Sequence, residues 1–251
     1  MKDTQTLRSG RLYISALGAM LLMSSVAQAA DDWEFAAEVY GWLPNIDIKE
    51  EGGQSSEITL DDILDNLDFT AMIAVQARKG KWSFSNDLVY LDLTNKPNDQ
   101  ISPRLTLKKL ELQAWIVSPT VGYAVFKNES SSIDLYAGAR YLDLEVNTTL
   151  ELRLPGNLPE RRDGTDTSDS NWDAIVGVRG NHRLSDKWHL PFSIDAGTGQ
   201  SDSTFQANAA LAYQFESLDA VIGWRYLTWD IGGEIDELTV NGPYVGVIAR
   251  F

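Results

Sequence analysis

Charged side chains of both signs recur at alternate positions along segments that otherwise resemble β-strands. Carboxylates and guanidinium groups form strong charge-assisted hydrogen bonds when they are held close together. Leaving one such group buried and unpaired is costly, so this spacing predicts an enclosed interior in which acids and bases neutralise one another. The members of the predicted network are Glu38, Arg78, Asp87, Glu111, Arg140, Asp173, Arg179, Asp195, Arg225 and Arg250.

Catalytic chemistry has little support in the residue types. The two histidines, His182 and His189, flank a turn that also holds Ser185 and Asp186. Serine and aspartate are common in turns for conformational reasons, and they need no catalytic explanation. Cysteine is absent, which excludes a thiol nucleophile, a thiolate metal site and a disulfide framework. We therefore predict that the protein is not an enzyme and holds no cofactor.

An acidic segment from Asp47 to Asp68 is the most charged surface of the sequence. Its later leucines and isoleucine fall at helical spacing, which predicts a loop with a short amphipathic helix and a wet acidic face. Calcium needs several converging oxygen ligands, and the spacing does not match an EF-hand loop. We predict no metal site, with only weak candidate ligands at Asp61, Asp62, Asp65 and Asp68.

The final residues of the chain alternate apolar and polar side chains and end on an aromatic one. Val245, Val247 and Phe251 share one face, whereas Tyr244 and Arg250 share the other. A period of two between an apolar and a polar face is typical of a strand that separates lipid from the interior of a transmembrane β-barrel. We expect the barrel-assembly machinery to engage this closing strand.

The same alternation recurs along the chain and predicts a closed antiparallel up-and-down transmembrane β-barrel of about ten strands. Short turns alternate with longer polar loops, as expected when turns face the periplasm and loops face outward. Eight strands would follow if two short ones merged into loops, and twelve if the strand from residue 105 were a pair. The predicted strands cover residues 33–43, 69–78, 82–93, 105–126, 133 to beyond 141, 173–182, 188–198, 204–215, 218–229 and 239–251.

One predicted strand, residues 105–126, changes the parity of its apolar residues. Leu112 belongs to one alternating set, whereas Val121 belongs to the other. A β-bulge inserts one extra residue and reverses the faces, so we place a bulge at residues 118–119. Further along, residues 148–171 are polar and contain proline and glycine, which predicts a surface loop.

The first 29 residues resemble a removable export signal, with a basic start, an apolar stretch and small residues at the end. The apolar stretch is shorter than a membrane-spanning helix requires. Residues 1–29 are therefore predicted to be cleaved, and residues 30–251 to form one barrel domain. The formal net charge of −15 argues against nucleic acid as a partner.

Aromatic residues cluster at the predicted strand ends, and amphipathic rings favour the two interfaces of a membrane. The belt at the short-turn rim comprises Trp33, Phe35, Trp82, Phe84, Phe126, Trp188, Phe192, Tyr213, Phe215 and Phe251. The belt at the opposite rim comprises Tyr90, Tyr141, Phe205, Tyr226 and Trp229. Two belts on a closed barrel predict a location in the outer membrane.

Several strings of residues carry a resemblance to a known family. They are YGWLP at 40–44, LDDILDNLDF at 60–69, ARKGKWSF at 77–84, DLVYLDL at 87–93, DAIVGVRG at 173–180, LSDKW at 184–188, AYQF at 212–215, GWRYL at 223–227 and YVGVIARF at 244–251. With them the chain resembles a family of small outer-membrane β-barrel proteins of Gram-negative bacteria. One departure is the segment AGTGQSDS at 196–203, which is poorer in glycine than the resemblance implies. The resemblance implies a fold and a location, and it implies no settled activity.

Three functions are compatible with such a barrel. The first, which we favour, is a monomeric barrel whose lumen is filled by salt bridges and whose acidic loops give it a structural or surface-interaction role, with membrane lipid and lipopolysaccharide as partners. The second is a narrow passive channel for ions or small solutes, with a constriction formed by Glu38, Asp87, Arg140 and Arg225. An outer-membrane hydrolase is the least favoured. The filled lumen ranks first because buried charges need pairing whether or not anything passes.

Overall fold

The computed structural model describes residues 33–50, 55–58, 67–95, 99–102, 105–152, 161–232 and 235–251. Within these ranges the chain forms thirteen β-strands in one antiparallel sheet. No helix of the described part is long and apolar enough to cross a membrane. The predicted export signal, residues 1–29, lies outside the described residues. The strands are β1 (Trp33–Trp42), β2 (Asn45–Glu50), β3 (Ser55–Ile58), β4 (Leu67–Lys79), β5 (Trp82–Asn95), β6 (Asp99–Ser102), β7 (Leu105–Lys127), β8 (Ser131–Leu152), β9 (Arg161–Arg183), β10 (Trp188–Gly199), β11 (Ser203–Gln214), β12 (Leu218–Asp230) and β13 (Ile235–Arg250).

The sheet closes on itself because β1 pairs with both β4 and β13. The order of the described strands around the ring is β1-β4-β5-β7-β8-β9-β10-β11-β12-β13, so the predicted closed antiparallel barrel of ten strands is confirmed. At the seam, Ala36 lies opposite Arg250. The backbones of Phe35 and Phe251 exchange two further hydrogen bonds, of 3.1 and 2.9 Å. Both ends of the barrel sequence therefore meet at one rim.

Tight turns lie at the rim where β1 begins and β13 ends, which we call the short-turn rim. Between β4 and β5, Gly80 adopts a φ of 59°, a left-handed conformation that glycine reaches without a steric penalty. The opposite rim carries longer hairpins. Strands β7, β8 and β9 hold 23, 22 and 23 residues, whereas about 9–11 residues suffice to cross a bilayer. The sheet therefore extends well beyond the thickness of a membrane on this side.

Two segments predicted as loops contain strands in their described parts. The segment 47–68 contains most of β2, all of β3 and the start of β4, and β2 pairs with β13 and β3. The segment 148–171 contains the ends of β8 and β9, which stay paired up to Leu152 and Arg161. The loop predictions failed because a strand beyond the membrane needs no apolar face, so its polar composition resembles that of a loop. The predicted acidic helix falls mainly on residues 59–66, which lie outside the described residues.

The predicted β-bulge at residues 118–119 is wrong. The pairing of β7 with β8 skips these two residues and resumes in the same register, with Val117 opposite Tyr141 and Thr120 opposite Gly138. The residue at 119 is a proline, which has no N–H to donate, so it interrupts the ladder without displacing it. Register shifts in this pair lie instead between Leu107 and Lys109 and between Ala124 and Phe126.

Most of the buried core lies inside the barrel, towards the end of the lumen beneath the long hairpins. We call this part the apolar plug, and its most buried members are Leu227 and Trp229, which are both 0% exposed. The plug explains the parity change in β7, because Leu112 faces the lumen while Val121 faces outward. Its members are Trp42, Met72, Val89, Leu91, Leu93, Leu112, Ile116, Leu142, Leu144, Leu227, Trp229, Leu238 and Val240. The prediction that Trp229 belongs to an external aromatic belt is therefore wrong.

The outer surface of the barrel is apolar, with exposed side chains such as Val176, Ile222 and Trp224. Aromatic rings pair on it at two levels. Towards the long hairpins, the ring centroids of Tyr90 and Trp115 lie 4.3 Å apart. Further pairs at that level are Tyr141 with Trp172 and Phe205 with Tyr226, and pairs at the short-turn rim are Trp82 with Tyr123 and Trp188 with Tyr213. Rings at two heights around an apolar band match the two interfaces of a bilayer.

Candidate functional site

The candidate site is the part of the lumen between the apolar plug and the short-turn rim. Strand alternation turns most of the predicted charges into this space: Glu38, Arg78, Asp87, Arg140, Arg179, Asp195, Arg225 and Arg250. Asp173 is also buried, but it lies towards the opposite rim, where it bonds to the hairpin between β10 and β11. Glu111 is an exception, because Leu112 is buried inside and places its neighbours on the outer face of β7. The inclusion of Glu111 in the inward set is therefore wrong.

Arg225 is enclosed directly beneath the plug and joins several strands. Its guanidinium group donates hydrogen bonds to Tyr40 Oη at 2.8 Å and to Gln206 Oε1 at 2.7 and 3.0 Å, and it forms an ion pair with Asp87 at 2.8 Å. The Tyr40 hydroxyl donates to Asp87 at 2.7 Å. The guanidinium carbon lies 4.8 Å from the centroid of Trp42, which belongs to the plug. Since β5 and β12 lie four places apart in the ring of ten strands, this ion pair crosses the lumen.

Arg140 forms a second cluster that is continuous with the first. Its side chain is only 1% exposed and pairs with Asp195 at 2.8 Å. Asp195 also accepts a hydrogen bond from Tyr136 Oη at 2.7 Å and one from Gln206 Nε2 at 3.2 Å. Because Gln206 also accepts from Arg225, one network runs through the lumen from β5 to β8. We call it the Arg140–Arg225 network.

Arg78 takes part in a third pair, which lies closer to the short-turn rim. It forms an ion pair with the buried carboxylate of Asp134, which also accepts a hydrogen bond from Ser83 Oγ at 3.2 Å. Sequence reasoning missed Asp134, although it lies six residues before Arg140 and therefore on the same face of β8. The even spacing along β8 is the signal that could have found it.

His189 and Arg250 line the lumen at the short-turn rim. His189 Nε2 lies 3.0 Å from Asp219 Oδ2, and its Nδ1 lies 3.0 Å from Asn181 Oδ1. Arg250 forms an ion pair with the same Asp219 carboxylate. His189 is therefore a lumen residue held on both sides by hydrogen-bond partners, which its position beside a turn in the sequence did not indicate.

Asp173 and Arg179 are inward charges without an ion-pair partner among the described residues. Asp173 is buried, its Oδ1 accepts a hydrogen bond from the Ser201 backbone at 3.0 Å, and its Oδ2 has no partner within the described part of the chain. Arg179 instead donates to the hydroxyls of Ser85 and Thr120, both at 2.7 Å. Both charges are hydrogen-bonded to neutral groups, and Arg179 in addition lies 4.3 Å from the ring centroid of Tyr136.

Glu38 is the third inward charge of this kind. Among the residues described by the structure, its carboxylate accepts no hydrogen bond, and its charged neighbours are Asp87 and Arg225. Asp87 and Arg225 are already paired with each other. Of the predicted constriction, Asp87, Arg140 and Arg225 thus lie in one network, whereas Glu38 faces open space beside it.

That open space is a cavity of about 510 Å³ below the Arg140–Arg225 network. Its lining reaches Glu34, Lys127 and Arg250, all exposed residues of the short-turn rim. At the other end, the network and the apolar plug lie across the lumen. The lumen therefore has one accessible half, which opens at the short-turn rim, and one filled half beneath the long hairpins.

No protein-family model matches the chain, and no curated protein sequence matches it. Among solved structures, it is similar to Neisserial surface protein A (NspA), with 14% identity, coverage of 87% of this chain and 97% of that chain, and a TM-score of 0.37. It is similar to Ail, the attachment invasion locus protein of Yersinia pestis, with 11% identity, 88% and 100% coverage, and a TM-score of 0.37. It is also similar to the P. putida toluene transporter TodX, with 13% identity, 90% and 91% coverage, and a TM-score of 0.35. Similarity at this level carries no information on function.

The closing strand β13 presents the two faces expected from its alternation. Val245, Val247 and Phe251 are exposed on the outside. Tyr244 faces the lumen, where its hydroxyl donates to Asn208 Oδ1 at 2.9 Å and its ring lies 5.8 Å from that of Tyr40. The strand is therefore anchored inside the barrel by one aromatic side chain and apolar on its outer face.

Most of the weak candidate metal ligands lie outside the described residues. These are Asp61, Asp62 and Asp65, whereas Asp68 belongs to β4. Across the described ranges, no group of three or more His, Cys, Asp or Glu side chains could hold a metal ion. Whether the acidic segment binds a metal ion is therefore not tested by the structure, and the absence of a metal site there stays a prediction.

Proposed function

We propose that the protein is an integral outer-membrane β-barrel with a closed lumen and a structural or surface-interaction role. The observation that carries this proposal is the apolar plug, whose members Leu227 and Trp229 are completely buried. Directly beneath it, Arg225 and Asp87 form an ion pair across the lumen. An apolar constriction excludes water and ions, so a plug above an ionic layer opposes conduction.

The outer surface supports insertion into a membrane. Its apolar band and its two levels of aromatic rings are suited to hydrocarbon flanked by two polar interfaces. Membrane lipid is the proposed partner of this band, and lipopolysaccharide the proposed partner of the hairpins above it. Export by residues 1–29, followed by their removal, completes the proposal.

The surface role is supported by the length of β7, β8 and β9. These neighbouring strands stay paired far beyond the length that a bilayer requires, from Leu105 opposite Leu152 and from Leu152 opposite Arg161. A paired sheet is a stiffer surface than a loop, because its backbone hydrogen bonds are already made. We infer that this projecting sheet contacts material outside the cell.

Single-channel recording in planar bilayers tests the closed lumen. We expect no conductance steps from the wild type at high salt. The double variant Trp42→Ala/Trp229→Ala removes the two largest plug side chains and should produce steps. The matched control is Trp115→Ala, which removes an outward-facing tryptophan and should stay silent.

Two outcomes contradict the proposal. Steps from the wild type would favour the narrow passive channel instead. A double variant that is folded, as judged by the heat-dependent mobility of the barrel in gels, and is still silent would show that the plug does not seal the lumen.

We propose no enzymatic activity. His182 Nδ1 lies 2.8 Å from Ser131 Oγ, but no carboxylate among the described residues is bonded to that histidine. His189 has a carboxylate and an amide as its two partners, so no described hydroxyl is available to it as a nucleophile. A serine mechanism needs a hydroxyl, a base and an orienting acid in one chain of hydrogen bonds.

A further inference from the structure

We propose that the cavity below the Arg140–Arg225 network is a binding site for a small zwitterionic solute, which enters at the short-turn rim and bridges Glu38 on one wall and Arg179 on the other. This inference goes beyond the proposed function, because a closed lumen requires no ligand. The plug makes the cavity a pocket with one entrance instead of a passage.

The cavity has the size and position of a ligand site. Its volume of about 510 Å³ falls within the range of about 300–1,000 Å³ that small-molecule pockets occupy. One end reaches the exposed rim at Glu34 and Lys127, and the other ends at Arg140 and Arg225. A solute could therefore enter from the rim and stop at the ionic layer.

Glu38 is the negative pole of the pocket. It lies on β1 and lines the cavity, and its carboxylate accepts no hydrogen bond from any residue that the structure describes. The small side chains of Ala36 and Ala74 line the cavity close to it, at the next inward position of β1 and at its register partner in β4. Space and an unpaired carboxylate together suit an ammonium group.

The positive pole is Arg179 on β9. Its side chain lines the cavity and has no ion-pair partner among the described residues. It donates to the hydroxyls of Ser85 and Thr120 and lies over the ring of Tyr136. A cationic guanidinium group in the cavity wall suits a carboxylate or another anionic oxygen group.

The balance of charge favours a zwitterion over a simple cation or anion. The other acids that line the cavity away from the rim are paired: Asp87 with Arg225, Asp134 with Arg78, and Asp195 with Arg140. Glu38 and Arg179 have no ion-pair partner among the described residues, and they carry charges of opposite sign. They lie on β1 and β9, five places apart in the ring, so the cavity separates them. A monovalent ion would compensate one pole only, whereas a zwitterion compensates both.

Isothermal titration calorimetry on the full barrel in detergent micelles tests this proposal. The probes are glycine, β-alanine and γ-aminobutyrate, which carry the two charges at increasing separation. Putrescine and succinate are matched controls, because they have the carbon chain length of γ-aminobutyrate but charges of one sign. We expect at least one zwitterion to bind at least about tenfold more tightly than either control, a factor of ten being about 1.4 kcal/mol.

Substitutions locate the site. Glu38→Gln and Arg179→Gln should each weaken the binding of that zwitterion by about tenfold or more. Glu129→Gln and Arg183→Gln are the matched controls and should bind as the wild type does, because both residues are exposed and lie outside the cavity lining. Glu38→Asp keeps the charge and should bind more tightly than Glu38→Gln.

The proposal is overturned if no zwitterion binds the wild type, if putrescine or succinate binds as tightly, or if Glu38→Gln leaves binding unchanged. Should Glu38→Gln fail to fold, the comparison of probes on the wild type still decides. Binding is measured independently of conductance, so failure here leaves the closed barrel standing, and a conducting wild type leaves the binding result standing.

Discussion

Arg225 is the residue on which the polar contacts of the lumen converge. It is 3% exposed and bonded to Asp87, Tyr40 and Gln206. Replacing it by methionine keeps most of its volume but leaves the Asp87 carboxylate with a single hydroxyl donor. We expect Arg225→Met to lower the free energy of unfolding by about 3–5 kcal/mol, as the loss of one partner of a buried pair does. Urea unfolding in micelles, followed by tryptophan fluorescence, measures the change.

Two further variants separate the cost of an unpaired charge from the loss of packing. Adding Asp87→Asn to Arg225→Met should recover part of the lost stability, because position 87 then no longer carries an unpaired charge. Lys49→Met is the exposed control. Lys49 and its partner Glu237 are 55% and 36% exposed, so loss of their ion pair should change the free energy of unfolding little. Equal losses at Arg225 and Lys49 would contradict this account of the network.

At the scale of single residues, the alternation of side chains predicted which residues face the lumen. It did not predict which of those residues form pairs. The sequence placed Glu38, Asp87 and Arg225 on inward faces, where the structure has them. It did not identify Tyr40 or Gln206 as partners, because nothing in the sequence indicates which charged group a neutral polar side chain will contact. Which side chains meet across a lumen depends on the tilt and stagger of strands that are far apart in sequence.

At the scale of elements, the pairing of β2 with β13 extends the barrel beyond the membrane and carries an exposed ion pair. Lys49 Nζ lies 2.6 Å from Glu237 Oε2. The hydrogen bond from Lys49 holds the pKa of Glu237 below its ordinary value, and the same bond raises the pKa of Lys49. The contribution of Glu237 is present above its unfolded-state pKa and is lost as the pH falls through the lowered folded-state pKa. The contribution of Lys49 is lost as the pH rises through its raised pKa.

The pairing of β2 with β13 should therefore be strongest between these two limits. Amide hydrogen exchange of β2, measured across the acid range and corrected for intrinsic rates, should show a small loss of protection as Glu237 is protonated. Glu237→Gln should lack that acid-dependent step, since glutamine does not titrate. An identical step in Glu237→Gln would assign the effect to another group.

The plug shows where predictions for elements fail. Leu112 and Val121 in β7 have opposite parity, and a bulge is the simplest explanation when the lumen is assumed to be polar throughout. The structure keeps one register and makes the upper lumen apolar instead. Trp229 was misplaced for the same reason, because a tryptophan at a strand end suits a membrane interface and a plug equally well. Periodicity separates two faces of a strand but does not name the inner one.

At the scale of the whole molecule, the barrel depends on one seam between its first and last strands. The backbones of Phe35 and Phe251 make the last two hydrogen bonds of that seam. Deleting Phe251 removes both bonds and the exposed terminal ring. We expect less folded barrel in the membrane fraction, measured by its heat-dependent mobility in gels. Phe215→Ala, which removes a similarly exposed ring at the same rim, is the control and should assemble normally.

The folding yield of Phe251→Trp tests whether assembly needs phenylalanine itself at the end of the chain, or only an aromatic ring and the two backbone hydrogen bonds. Tryptophan keeps an aromatic end and both hydrogen bonds, so this variant should assemble as the wild type does. A Phe251 deletion that assembles normally would show that the closing strand needs neither its last residue nor the end of the seam.

The sequence by itself predicted the class of fold, because a period of two in about ten segments, with aromatic residues at the strand ends, is typical of a transmembrane barrel. It also determined which charges share a face with which neighbours. Only the tertiary structure decided that the lumen is apolar at one end and open at the other, and that Glu38 and Arg179 face each other unpaired across a cavity. The physical reason is closure: when strands roll into a ring, their tilt brings side chains from distant strands to a common height, and local patterns contain no information about that height.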